Sequence, residues 1–245
     1  MRIVVISDMH GNLVAFDAVL ADLKAEKYDR MVCLGDAIQG GPQPAETVQR
    51  LREVGCPVVM GNADAWMLTG EETDAERPAS QELKDVREWS LQQLSEADKQ
   101  FISTFQPTIT IPLTDTLNLL CAHGTPNSFD EIIVPSTPYD EFFAMIKDYA
   151  NNILTGGHTH VQQIKRIGAG RTFYFNPGSV GRAFSHQQPE GVFHYDPWAD
   201  YAILNVEGDR LSLDFRRLPF DVEAVRQVYR TSTRPHSDQA LAQYA

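Results

Sequence analysis

Arg2-Ile3-Val4-Val5-Ile6-Ser7-Asp8-Met9-His10-Gly11-Asn12 opens the chain, and the rest is read outward from it. Residues 2–7 form an apolar run without alternation, as expected of a strand buried on both faces. Asn12 is placed to cap a helix whose apolar positions Leu13, Phe16, Leu20 and Leu23 recur at helical spacing. Between strand and helix stand Asp8 and His10, two residues apart. In an extended segment such a pair points the same way, so both could reach one ion.

Four more blocks of the same kind follow. Gly35-Asp36 comes after Met31-Val32-Cys33-Leu34, and Gly61-Asn62 after Pro57-Val58-Val59-Met60. His123-Gly124 follows Leu119-Leu120-Cys121-Ala122, and Gly157-His158-Thr159-His160 follows the strand-like residues 152–155. Taken singly, an aspartate or asparagine at such a point is a cap or turn residue, and a histidine is a hydrogen-bonded structural one. Together, Asp8, His10, Asp36, Asn62, His123, His158 and His160 form a candidate ligand set at the ends of strands. The donors are nitrogen and oxygen without thiolate, which suits manganese, iron or zinc better than calcium or a structural zinc. Two divalent ions outweigh two carboxylates. The resulting positive site would hold an anionic phosphate and lower the pKa of a bridging water.

Strand-helix alternation over the first third (strands 2–7, 31–34 and 57–60, helices after Asn12 and through Ala45–Val54) argues for a parallel sheet. A solvated loop is expected at 70–82, then helices over 82–94 and 96–105, with Ser95 and Asp98 marking a helix start. A hairpin is expected around Asp115. A helix over 138–149 and consecutive strands at 152–155, 161–167, 171–176, 201–206 and 210–216 come next. A last helix is expected near 221–230, and the polar tail from Thr231 is expected to fray. The change from alternation to consecutive strands suggests two packed sheets with helices outside. Residues 1–245 read as one domain.

The 245 residues carry a formal net charge of −12, a poor balance for binding nucleic acid or an anionic membrane. Three cysteines do not suggest a disulfide framework, and Cys33 and Cys121 read as buried thiols of a reducing compartment. The charged N-terminal strand does not read as a signal peptide, and no apolar run reaches the roughly 18 residues of a membrane helix. A cytoplasmic protein is expected. Its oligomeric state is left open.

The motifs Asp8-Met9-His10-Gly11-Asn12, Gly35-Asp36, Gly61-Asn62-Ala63-Asp64, His123-Gly124, Gly157-His158-Thr159-His160 and Asn176-Pro177-Gly178-Ser179-Val180-Gly181 resemble the calcineurin-like metallophosphoesterase superfamily. They look like its compact bacterial and archaeal branch of phosphodiesterases and diadenosine-tetraphosphatase-like proteins. The resemblance implies an α/β fold, a four-layer α/β/β/α sandwich of two mixed sheets, with two metals at the mouth of the sheets. It implies Asp8, His10 and His160 on the first metal, Asn62, His123 and His158 on the second, and Asp36 bridging. Asp36, Asn62 and His123 would be catalytic, with a metal-bound hydroxide as nucleophile. Asn62 would also bind substrate. Arg182, just after the Gly178-Ser179-Val180-Gly181 turn, reads either as a substrate contact that grips a phosphate oxygen or as an ordinary exposed arginine. Manganese is the first expectation for the metals.

One departure stands out. Many members carry histidine after the Gly-Asn pair, implied to protonate the leaving oxygen; here the residue is Ala63. Asp64 then reads as a helix cap. His186 or His194 could substitute for the lost acid, although a lone histidine reads more readily as a surface or packing residue. Small phosphodiesters or nucleotide polyphosphates, whose leaving groups are stable, are the expected substrates. The alternatives are a phosphomonoesterase or protein phosphatase of the same fold, or a metal-binding scaffold without activity.

Overall fold

In chain order, the first half of the computed structural model contains β1 (Arg2–Ile6), α1 (Leu13–Leu23), β2 (Arg30–Cys33), α2 (Pro44–Val54), α3 (Asn62–Thr69), α4 (Gln81–Gln93), α5 (Glu96–Ile102), β3 (Ile109–Pro112) and β4 (Asn118–Cys121). The second half contains α6 (Tyr139–Ile146), β5 (Ile153–Thr155), β6 (Gln162–Arg166), β7 (Phe173–Pro177), β8 (Trp198–Glu207), β9 (Arg210–Pro219), α7 (Val222–Thr231) and α8 (Ser237–Ala242). The structure describes residues 1–71 and 78–244. Residues 72–77 of the loop expected at 70–82 therefore lie outside the described residues.

Two sheets result, ordered β2-β1-β8-β9 and β3-β4-β5-β7-β6. Both are mixed. β1 runs parallel to β2 and antiparallel to β8, while β5 runs parallel to β4 and β7. In the first sheet the parallel pairing that alternation suggested is thus confined to β1 and β2, because β8 returns from late in the chain to occupy the open side of β1.

The two-residue period of the strands sorts the core into layers. Ile3, Val5, Ala202 and Leu204 face Leu119, Cys121, Ile153 and Phe175 of the other sheet. Their neighbours Val4, Ile6, Tyr201 and Ile203 face Phe16, Val19, Val48 and Leu51 of the helices. On the far side, Leu120, Leu154 and Tyr174 pack under Phe142 and Ile146 of α6. The order is helix, sheet, sheet, helix, as expected. Among the described residues no helix is long and apolar enough to cross a membrane.

Local signals held where they were strong. The Asn12 side chain accepts from the Ala15 amide, and Ser95 with Asp98 forms a capping box. β3 and β4 make the hairpin around Asp115. The helix expected over 138–149 tightens after Ile146 into a 3₁₀ turn. Pro57–Met60 is not a strand; it contributes only isolated bridges, Val58 to Cys33 and Val59 to Gln106. α3 was missed, because Gly61-Asn62 reads as a strand end when the helix behind it has no apolar stripe.

The tail does not fray. α8 and Tyr244 return onto the body, with Tyr244 only 3% exposed and its ring 5.3 Å from Tyr195 and 6.0 Å from Tyr229. The sequence carries no sign of this docking, because the few buried side chains, Arg234, Ala240 and Tyr244, are spread too thinly to form a pattern. Tyr244→Ala should lower the unfolding free energy by about 3 kcal/mol, the usual cost of emptying a buried aromatic site. A urea titration reads this directly; an unchanged midpoint would mean that the tail is not docked.

Candidate metal centre

Four of the five blocks lie at the carboxyl ends of strands, the edge where α/β sheets collect ligands. Asp8 follows β1, Asp36 follows β2, His123 follows β4 and His158 follows β5. The fifth, Asn62, begins α3. The ligand loops are laced together by their backbones. Asp8 N–H donates to Gly35 O, His10 N–H to Asp36 O and Gly157 N–H to His123 O.

These loops are not extended. Among the described residues six non-glycine residues have positive φ, and five of them are Asp8, His10, Asp36, His158 and His160. Asp and His enter this left-handed region more readily than most residues, at a cost of order 1–3 kcal/mol each, and it persists where surrounding contacts over-determine it. The expectation that residues two apart point together is therefore corrected. It needs a pleated backbone, and here each residue of both pairs is coiled. Asp8 and His10 still converge, but His158 and His160 part company.

The donors fall into two groups, Asp8 with His10 and His160, and Asp36 with His123 and His158, each with its ligand atoms within 4.8 Å of one another. Asp36 Oδ2 stands between the groups, 3.4 Å from His123 Nε2 and 3.7 Å from His10 Nε2. Asn62 Oδ1 is 3.0 Å from His123 Nε2. All seven predicted residues are thus brought to one place.

Three imidazoles are set by backbone carbonyls. Nδ1 of His10, His123 and His160 lies 2.8 Å from the carbonyls of Gln39, Leu34 and Arg182. Each Nδ1–H donates outward, so each Nε2 points inward and presents a lone pair there once its ring is neutral. For His10 and His160 the two Nε2 atoms are 3.1 Å apart. Facing lone pairs at that distance call for a cation or a proton between them. Asp8 Oδ1 is buried and has no hydrogen-bond partner, while it lies 3.3 Å from His160 Nε2. An orphaned buried carboxylate oxygen beside inward-facing imidazole nitrogens is the donor chemistry of a divalent-cation site.

Titration separates the groups. Burial and then the Arg182 charge press His10 down to about 3, so it is neutral at any working pH. Burial works against protonation of His123 too, but Asp36 beside it prevails and lifts it to about 10. His123, followed by His10, holds Asp36 below the usual carboxylate range against the effect of burial.

Several supporting residues were not legible as such. Asp64 does not cap its own helix. Its carboxylate accepts from the Ala37 and Ile38 amides at 3.1 and 3.3 Å, pinning the loop that carries Asp36. Burial, then the Asp36 charge, raises it to about 7. The Asn176–Gly181 turn braces the other side. Asn176 Nδ2 donates to Thr159 Oγ1, and Ser179 Oγ–H donates to Asp8 O. Gly61 and Gly157 are required by close approach. A Cβ on Gly61 would stand 2.1 Å from Asp36 Oδ1, and one on Gly157 would stand 2.1 Å from Ser7 Oγ. Pure packing roles of this kind have no sequence signal beyond the glycine itself.

Arg182 is the residue whose placement differs most from expectation. It touches the site through its carbonyl, while its guanidinium lies 5.4 Å over the Tyr195 ring, beneath Gly40, with Nε buried and unpartnered. Nearby, Arg234 sits over Tyr229 and donates to Gly40 O. Of the two histidines considered as acids, His186 is hydrogen-bonded through Nε2 to Thr159 O at 2.9 Å, and the His194 backbone is bonded to the Gln188 side chain.

Fold and centre together define a metal-dependent phosphoester hydrolase. The profile of the calcineurin-like phosphoesterase superfamily domain matches residues 1–197, and the chain belongs to that superfamily. The phosphodiesterase YfcE of Escherichia coli is 27% identical over 194 residues, covering 74% of this chain and 79% of that protein. An uncharacterised protein of Methanocaldococcus jannaschii is 43% identical over 72 residues, a stretch spanning 29% of this chain and 30% of that protein. A solved metallophosphoesterase of Sphaerobacter thermophilus superposes with a TM-score of 0.72 at 25% identity, over 99% of this chain and 98% of that one. A Pyrococcus horikoshii structure of unstated activity shares the fold, with a TM-score of 0.80 at 16% identity over 100% and 99% of the two chains.

Two outcomes follow for metal loading. The protonated His123 stabilises the metal-free protein below its unfolded pKa near 6.5, and this contribution is lost as pH rises through about 10. A metal needs the neutral ring, so manganese affinity at the Asp36 group should climb across that window, with proton release. Calorimetric titration in buffers of different ionisation enthalpy measures it; binding without a proton would contradict the pair. Gly61→Ala should weaken metal binding at least about tenfold, the lower range for disturbing a ligand's support, while circular dichroism stays native.

Proposed function

We propose that the centre holds two divalent ions, manganese first among iron and zinc, and hydrolyses small phosphodiesters or nucleotide polyphosphates. The observation that carries this reading is the position of Asp36 Oδ2 between His10 and His123, one carboxylate serving two donor groups. Asp8, His10 and His160 are the proposed ligands of one ion, and Asn62, His123 and His158 those of the other. When bound, the ions supply a water of lowered pKa and positive charge for the phosphate oxygens.

The chain's own residues would do the rest. The carbonyls of Gln39, Leu34 and Arg182 keep three imidazoles in the ligating tautomer. Asp36 accepts from the Ala63 amide at 2.9 Å, so the start of α3 fixes the carboxylate that both groups use. Asn62 offers a neutral oxygen at the site and is a proposed substrate contact. For Arg182 the proposed phosphate grip would require the guanidinium to leave Tyr195, so we assign it instead the positioning of His160. We propose a cytoplasmic setting, supported by three free cysteines of which two are buried.

Ala63 shapes the substrate range. Ala63 offers no leaving-group acid, and the hydrogen bond of His186 Nε2 to Thr159 O keeps that nitrogen occupied. Esters with stable leaving groups should suffer least. The manganese-loaded protein is therefore expected to hydrolyse bis-p-nitrophenyl phosphate and thymidine p-nitrophenyl phosphate faster than the alkyl monoester glycerol phosphate. The reverse order in a side-by-side assay would favour a monoesterase. Asp36→Asn should reduce diester hydrolysis at least about 100-fold, since disturbing even a ligand's support costs 10–100-fold. Full activity in that variant would leave only the scaffold reading.

A further inference from the structure

Beside His160 the chain carries a connected set of aromatic rings that the centre does not use. The Phe184 ring packs edgewise against His160, with centroids 5.7 Å apart and planes at 68°. His186 stacks flat on Phe184, at 4.8 Å and 3°. Phe193 meets Phe184 edge-on at 5.2 Å, and Tyr195 meets Phe193 at 5.0 Å. These rings are on a loop tied at its base by Asp196 N–H to Ala183 O. It is also tied across its arms by Gln188, which bonds both the amide and the carbonyl of His194. The His186 ring is oriented by its bond to Thr159 O, inside the ligand loop itself.

The set is exposed where it has no structural reason to be. Phe193 is 42% exposed, Val192 is 44% exposed, and His186 lies on the surface. Preformed, oriented rings at the rim of a phosphate-binding centre suit a flat apolar group attached to that phosphate. A second protein could cover exposed rings too, but this cluster runs without a break to a candidate ligand, so whatever covers it also adjoins the centre. The net charge of −12 disfavours a long polyanionic strand and leaves the single nucleotide.

We infer that Phe184, His186 and Phe193 form a stacking platform for the base of a nucleotide whose phosphate sits at the Asp36 centre. The inference rests on the phosphoesterase reading above and narrows its substrate class to nucleotide phosphoesters. Stacking on an aromatic ring is insensitive to the pattern of hydrogen-bonding groups, so no single base should be required.

The test is the affinity of manganese-loaded protein for AMP and for ribose 5-phosphate, measured by calorimetry. The two ligands share phosphate and sugar and differ only in the base. A stack worth about 1–3 kcal/mol makes AMP about five- to 150-fold tighter. The AMP to ribose 5-phosphate ratio should fall below about threefold in His186→Leu and in Phe193→Leu, the second being a surface change that keeps the variant folded. Taking the ratio cancels any shared loss at the phosphate. Equal affinities in the unaltered protein, or a ratio unmoved by both variants, overturn the platform while diester hydrolysis still upholds the centre. Failure of both ligands to bind, with no diester hydrolysis, overturns both readings.

Discussion

The Asp36 carboxylate ties the two sheets together at their carboxyl ends. It arrives on the loop after β2, in the first sheet, and lies against His123, which follows β4 in the second. It is buried, and so is the imidazole it faces. A buried carboxylate needs hydrogen bonds and opposite charge to remain ionised. Here the Ala63 amide and the protonated His123 supply them. Asp64 then pins the next two amides of the same loop. The placement of α3 and the registry of the two sheets are thus tied to one side chain.

Around that point the backbone is held in a conformation it would not choose. Five of the candidate ligand residues are left-handed, and the strain is borne by hydrogen bonds between loops distant in sequence. Val180 and Gly181 donate to the carbonyls of Ser7 and Asp8, and His158 N–H donates to Asp8 Oδ2. Ser179 adds a side-chain bond to the same Asp8 carbonyl. Strain concentrated at one cluster, with its supports drawn from all parts of the chain, is the pattern of a preorganised site. The donors need little rearrangement to receive cations, because their tautomers and directions are already set.

The C-terminal segment, beyond the part that matches the superfamily profile, joins the same system. Tyr244 Oη–H donates to Gly181 O, one residue before the Arg182 carbonyl that orients His160. Arg182 and Arg234 rest on Tyr195 and Tyr229, and both adjoin Gly40, next to the Gln39 carbonyl that orients His10. The segment is therefore a brace for one of the two donor groups. Ala63 marks where the centre is spare. The neighbouring backbone is used to hold Asp36, but no side chain there reaches a leaving group.

Much of this was readable without coordinates. The residue types of the centre, their order, the apolar runs before them, the caps at Asn12 and Ser95 and the layering of two sheets are local properties, written in side-chain chemistry and in periods of 2 and 3.6 residues. That His158 and His160 serve different groups is implied by the family resemblance but not by their spacing, since their divergence follows from left-handed backbone held by bonds to Asp8 and Arg182. Nor could the carbonyl partners of the imidazoles be read, because every residue has a carbonyl and only the fold selects which one is near. The roles of Asp64, the docking of Tyr244 and the aim of Arg182 belong to the same class. The sequence determined which groups could bind cations and phosphate. The tertiary structure decided how they are paired and aimed, because those depend on contacts between segments up to 232 residues apart that no local pattern encodes.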